Sequence, residues 1–185
     1  HQEFHSEAFT RQGGVMHMAQ LWVNLPAQHK MMPPGYQAIE RHTIPNLTLA
    51  DSAGTLRLIA GEFGGSKGPA VTQTPMWVWD LQLKAGKTLS LPVPNGWSTA
   101  LVVMSGQACI NQTEHALTAQ LAVLSQEGEG ASLEAMVDTH VLILAGQPIV
   151  EPIVGYGPFV MNTRQEIVAA VDDFNSGKFG MLPAQ

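Results

Sequence analysis

The feature that most constrains this chain is its punctuation. Short apolar runs are cut off repeatedly by Gly, Pro and Asn, as in Lys84-Ala85-Gly86-Lys87, Pro94-Asn95-Gly96, Ser105-Gly106 and Glu127-Gly128-Glu129-Gly130. Gly and Asn tolerate the positive backbone angles of tight turns, and Pro cannot donate to a ladder, so each cluster ends a regular element. What fits between such stops is the strand. Leu56, Leu58 and Ala60 alternate before Gly61, and Met76–Leu83 places Trp77, Trp79 and Leu81 on one face. That second run is too apolar for its other face to be wet. Ala100–Met104, Leu117–Leu124 and Val141–Ala145 read as further strands, as does Gln20–Leu25, with Leu21, Val23 and Leu25 alternating. Closely spaced strands with turn punctuation predict an all-β sandwich or barrel.

One segment breaks the pattern. Thr163 followed by Glu166 has the spacing of a capping box, and Ile167, Val171 and Phe174 then fall on one helical stripe before Gly177. A helix over about 163–176 is expected to dock on the β body. Gly64-Gly65-Ser66-Lys67-Gly68 is the candidate linker, dividing the chain into 1–63, a strand-rich unit at 64–150, and a C-terminal segment at 151–185. The first 63 residues hold too few strands to close a barrel.

Charge narrows the function classes. A net charge of -6, with no run of more than two Lys or Arg, argues against direct nucleic-acid contact, which requires a basic patch against phosphates. No apolar stretch approaches the roughly 20 residues of a membrane-spanning helix, and none reads as a signal peptide. The single cysteine, Cys109, forms no internal disulfide, which fits a reducing, cytoplasmic compartment; flanked by Ala108 and Ile110, it reads as a small buried residue. No nucleophile elbow, phosphate loop, dinucleotide fingerprint or Cys-x-x-Cys pair is present.

Seven histidines remain. At the start of the chain, His1, Glu3, His5 and Glu7 alternate and would share a face if extended. Imidazole with carboxylate suits a first-row metal that keeps open positions, although a surface His/Glu cluster explains the same residues. His17, His29, His42, His115 and His140 lack such company and read as solvated or satisfied by neighbours.

Three stretches resemble the pirin family. They are Gln20-Leu-Trp-Val-Asn-Leu-Pro26 with Lys30-Met31 and Pro34-Gly-Tyr-Gln37; Pro94-Asn-Gly-Trp97 leading into Ser105-Gly106; and Glu151-Pro-Ile-Val-Gly-Tyr-Gly-Pro-Phe-Val-Met-Asn-Thr163 with Glu166-Ile167 and Gly177-Lys178. The resemblance implies a bicupin: two β-barrels of the double-stranded β-helix type, here with the first barrel incomplete and a C-terminal helix. It also implies one metal, usually iron, held in the first barrel by three histidines and a glutamate. Two of those ligands come from a His-x-Glu pair, which His1-Gln2-Glu3 matches and His5-Ser6-Glu7 rivals. The order His-x-Glu-Phe-His before Phe9-Thr-Arg-Gln-Gly-Gly14 favours His1 and Glu3. The early His-x-His strand of the family has no counterpart, so the chain as given is expected to supply two of four ligands and to bind iron weakly or not at all, unless the missing segment is present as another chain or was lost in processing. The second barrel is expected to be metal-free.

Two activities are implied by the resemblance. One is an iron-dependent dioxygenase of quercetin-type flavonols, with Glu3 as both ligand and base. The other is a non-enzymatic regulatory protein acting through contacts with a protein partner.

Overall fold

The computed structural model describes residues 5–180. The chain forms two compact units, one from Met32–Val150 and the other from the segments before and after it, His1–Met31 and Glu151–Gln185.

The middle unit holds twelve strands: β1 (Asn46–Thr48), β2 (Gly54–Ala60), β3 (Glu62–Phe63), β4 (Ser66–Lys67), β5 (Met76–Leu83), β6 (Thr88–Leu91), β7 (Ser98–Ser105), β8 (Gln107–Ile110), β9 (Glu114–Leu117), β10 (Leu121–Leu124), β11 (Ala131–Ala135) and β12 (Thr139–Gly146). A six-stranded sheet runs β1-β2-β5-β12-β7-β10, and a four-stranded sheet runs β6-β11-β8-β9. Every ladder is antiparallel. The short β3–β4 hairpin stands apart from both.

The period-two pattern decides which side chains face inward. Leu56, Leu58, Trp79, Leu81, Leu101, Val103, Val141 and Ile143 come from the large sheet, and Leu91, Ala108, Ile110, Leu133 and Ala135 from the small one; all belong to one buried cluster. Burying each of the larger aliphatic chains contributes about 1.5–3 kcal/mol. Cys109 is also buried and unpaired. The outer face of β5 carries Asp80, whose carboxylate accepts from Arg57 on β2 at 3.1 Å and contacts His140 Nε2 on β12 at 2.7 Å. A carboxylate nearly out of water must be paired, and a one-residue slip would turn Asp80 into the core, so this cluster fixes the register of three strands.

Two features differ from the expected layout. Leu117–Leu124 is not one strand: Ala119 adopts φ 65, Gln120 N–H donates to Leu117 O at 3.0 Å, and the chain passes from β9 in one sheet to β10 in the other. The Gly64–Gly68 segment includes the turn between β3 and β4, and β1 and β2 pair in the same sheet as β5. The division of the structure therefore does not coincide with the expected boundary at 63/64. Gly106 shows why the turn signals were informative. Its φ is 90, and a Cβ there would lie 2.6 Å from the Asp138 carbonyl oxygen, so only Gly fits between β7 and β8.

In the other unit lie α1 (Glu7–Gln12), α2 (Ala27–Lys30), the hairpin of β13 (Val154–Tyr156) and β14 (Phe159–Met161), and α3 (Arg164–Asn175). The α3 capping box forms as its sequence predicts: Glu166 N–H donates to Thr163 Oγ1 at 3.2 Å, and Thr163 N–H donates to Glu166 Oε2 at 2.7 Å. Ile167 is buried, while Phe174 is exposed and meets the rings of Phe159 and Phe179. Gln20–Leu25 forms no strand, and Leu21, Trp22 and Val23 are exposed. Alternation alone does not make a strand without a ladder partner, and none pairs with this run among the described residues.

Candidate functional site

His1 and Glu3, the expected metal ligands, lie outside the described residues. The rival pair and its neighbours are described. Ser6 is the N-cap of α1, its Oγ accepting from Phe9 N–H at 3.2 Å. Glu7 begins the helix and accepts from Arg11 Nη2 at 2.6 Å, one turn on. The His5 ring lies 5.5 Å from that of Phe9. The extended alternation expected through Glu7 therefore stops at Ser6, and Glu7 is turned to a helical ion pair. Gly13, at φ 69, closes α1 by donating its N–H to Phe9 O at 2.8 Å, which accounts for the glycines of Phe9-Thr-Arg-Gln-Gly-Gly14.

The best-organised polar cluster of this unit is built by the third motif. Pro26, at the N-cap of α2, has no side-chain acceptor to offer the first turn. Glu151 takes that role from 124 residues away: its Oε2 accepts from Ala27 N–H at 2.7 Å and from Asn162 Nδ2 at 3.0 Å. Asn162 Nδ2 also donates to Pro152 O at 3.0 Å, and Asn162 N–H to Glu166 Oε2 at 3.0 Å. Glu151, Asn162, Thr163 and Glu166 thus join the end of the Gln20–Pro26 stretch to the β13–β14 hairpin and α3. Their chemistry is architectural, since every contact is a hydrogen bond within the unit. Glu151→Ala removes the acceptor of the exposed Ala27 N–H and of one half-buried amide proton, an expected loss of about 1 kcal/mol. Amide exchange at Ala27, whose N–H Glu151 accepts, should speed up by a factor to match; unchanged protection there would contradict the role.

Hydrogen bonding from Thr163 lowers the Glu166 pKa, reinforced by backbone donation from Asn162 and by the charge of Lys30. A carboxyl with a lowered folded pKa stabilises the fold above its unfolded value of about 4.3 and loses that contribution as pH falls through the lower folded value. Acid titration followed by helical circular dichroism should therefore show α3 loosening below about pH 4. That step should be missing in Glu166→Gln; the same step in both proteins would assign it elsewhere.

Among the described residues, no three His, Cys, Asp or Glu side chains are grouped so as to hold a metal ion. Asp80 and His140 do meet, but the third member is Arg57, which cannot ligate a cation. His42 pairs with Glu40 at 3.1 Å and His115 contacts Gln107 at 3.4 Å, both on the surface. The described residues therefore do not themselves supply an iron site. No described helix is long and apolar enough to cross a membrane.

The sequence pattern of the Pirin C-terminal cupin domain matches residues 78–180, more than half of the chain. The chain belongs to the pirin family. A Pseudomonas aeruginosa protein named as a candidate quercetin 2,3-dioxygenase is 49% identical over 97% of this pirin and 62% of its own length. Human pirin is 34% identical over 91% of this chain and 59% of its own. The chain thus spans about three-fifths of the length of these curated relatives. A crystal structure of quercetin 2,3-dioxygenase from Acinetobacter baumannii superposes with a TM-score of 0.84 at 49% identity, over 88% of this chain and 56% of that one. The all-β cupin architecture with a C-terminal helix follows from the fold and from these likenesses.

The two architectural clusters were not legible from spacing. Glu151 lies far in sequence from Ala27, and only the unsuited N-cap Pro26 hinted that another acceptor was needed. Asp80 within an apolar strand carried a plainer signal, because a charge there demands partners from adjacent strands.

Proposed function

We propose that this pirin chain is the larger, C-terminal portion of an iron-dependent 2,3-dioxygenase of quercetin-type flavonols, working in the cytoplasm. The observation that carries the reading is 49% identity, across nearly the whole chain, to a relative named for that activity. His1 and Glu3 are two of the metal ligands in this reading. Support comes from the neighbouring pair, since Glu7 is held by Arg11 and Ser6 caps α1. An imidazole and a carboxylate suit ferrous iron. When bound, iron supplies a Lewis-acidic centre with open positions for the oxygens of a flavonol. In this reading Glu3 would take the proton of the flavonol hydroxyl, and His1 would be a second ligand. In this reading His1 and Glu3 are half of the ligand set, and the 185 residues alone are expected to bind iron weakly or not at all.

The test is aerobic quercetin consumption by this chain joined behind the corresponding N-terminal part of its Pseudomonas relative and loaded with stoichiometric iron. Turnover is expected. An iron-loaded protein that leaves quercetin unchanged would rule the dioxygenase out.

A second reading, a regulatory protein acting through a protein partner, is favoured by the exposed apolar side chains between Val15 and Met31, with Val15, Trp22 and Met31 the most open. Stoichiometric capture of one protein by the joined polypeptide, without quercetin turnover, would select it.

A further inference from the structure

Positive charge is scarce in this chain, and only four of its residues are arginines: Arg11, Arg41, Arg57 and Arg164. Two of the four, Arg41 and Arg57, line one open cleft of about 530 Å³ in the Met32–Val150 unit, together with Glu40, His42, Ile44 and Asn46. Strand register sets one side of it. Asn46 on β1 lies directly opposite Arg57 on β2, so both project from the outer face of the large sheet. The other side is the single 3-10 turn Arg41–Thr43 just before β1. Thr43 donates to Glu40 O twice, from N–H at 2.9 Å and from Oγ1 at 2.8 Å, and Leu58 N–H donates to Pro45 O at 3.0 Å. The turn is thereby tied to β2.

The acceptors nearby are already engaged. Asp80 accepts from Arg57 Nη1 at 3.1 Å and contacts His140 Nε2 at 2.7 Å, which fixes the guanidinium from behind. Asp80 keeps 12% of its side chain exposed and does not line the cleft, whereas Arg57 keeps 27% and does. Glu40, the one carboxylate of the lining, meets His42 Nδ1 at 3.1 Å. Arg41 is exposed and has no ion-pair partner among the described residues, unlike Arg11, Lys67 and Lys178, each of which meets a carboxylate. The lining therefore carries two fixed positive charges against one negative, on a chain of net charge -6. A guanidinium presents a planar fork of N–H donors that matches the paired oxygens of a carboxylate or a phosphate. Ile44 is the single apolar side chain of the lining, so the cleft suits a polar ligand, and its volume falls within the roughly 300–1,000 Å³ of small-molecule sites.

We propose that this cleft binds a small dianion, a phosphate monoester or a dicarboxylate, whose oxygens accept from Arg41 and Arg57. The site is independent of iron and of His1 and Glu3.

The test uses the 185-residue chain, with methyl phosphate and succinate titrated separately by calorimetry in low salt at mildly alkaline pH, where a phosphate monoester carries close to two charges. Saturable one-to-one binding, millimolar or tighter, is expected for at least one of them, and the tighter of the two identifies the source of the charge. Acetate, with one charge, should bind about tenfold more weakly or worse. Arg41→Gln breaks no hydrogen bond of the Arg41 side chain among the described residues and should weaken dianion binding by a similar factor. Arg41→Lys keeps the charge without the fork and should fall between the two. Arg164→Gln makes the same change of net charge at the exposed start of α3 and should leave the affinity unchanged. Absence of saturable binding by both dianions overturns the proposal. So does an affinity that Arg41→Gln leaves intact, or that Arg164→Gln lowers equally, because the attraction would then belong to the surface as a whole.

Discussion

Replacing Trp79 with Ala should cost about 3–5 kcal/mol of unfolding free energy, the range for deleting a large buried aromatic. Trp79 is fully buried at the centre of β5, the strand that pairs with both β2 and β12. Leu58 lies opposite it on one side and Ile143 on the other, so three strands of the core lose a common neighbour. Its ring also stacks on Trp77 and meets Phe63 edge-on at 5.2 Å. A domain has about 5–15 kcal/mol to lose, so this one change should remove a large share of the stability. Trp79→Phe separates ring packing from polarity. The indole N–H has no partner among the described residues, so replacing it removes an unpaired donor along with some volume. Phe should therefore be much less damaging than Ala. Urea denaturation gives both numbers, and a loss below about 1 kcal/mol for Trp79→Ala would contradict a core centred on this ring.

The largest functional effect is expected at Glu3. In the iron-loaded, joined polypeptide, Glu3→Ala removes a ligand and the proposed base together, so quercetin turnover should fall by at least the roughly 10²–10⁴-fold that general-base removal alone produces. Glu3→Gln keeps the shape of the side chain while removing its negative charge and its basicity, and should remain similarly inactive. Glu7→Gln provides the internal comparison, because Glu7 is paired with Arg11 on an exposed helix and should be dispensable. Turnover that survives Glu3→Ala but disappears in Glu7→Gln would move the site to the rival pair. Turnover that survives both would remove the carboxylate from the reaction.

Much of the barrel was legible because burial on one face enforces a period of two. Leu56, Leu58 and Ala60, then Trp77, Trp79 and Leu81, then Val141, Ile143 and Ala145 occupy the strands their alternation predicts. The α3 helix was equally readable, since its capping box is a local device whose partners lie three residues apart. Gln20–Leu25 shows the limit. Its alternation is as regular as that of β2, yet a strand is held by a neighbour's backbone, and side-chain periodicity does not reveal whether that neighbour is present. Leu117–Leu124 failed for a different reason. The left-handed turn at Ala119 uses a residue with no turn signature, and Gln120 Oε1 supports it by accepting from Leu117 N–H at 2.7 Å. The candidate metal ligands were read from a family pattern at His1 and Glu3. The long-range bonds of Glu151 could not have been found that way, because a hydrogen bond across 124 residues leaves no mark in local spacing.

Iron stoichiometry tests the assignment of His1 and Glu3 as ligands most directly. The 185-residue chain and the joined polypeptide, each with and without His1→Ala and Glu3→Ala, would be loaded with ferrous iron without oxygen, desalted and analysed for metal. Stoichiometric iron is expected in the joined polypeptide, with a large loss in either variant and little retention by the 185 residues alone. Full iron occupancy in both variants would contradict the assignment, because the metal would then be held by residues other than His1 and Glu3.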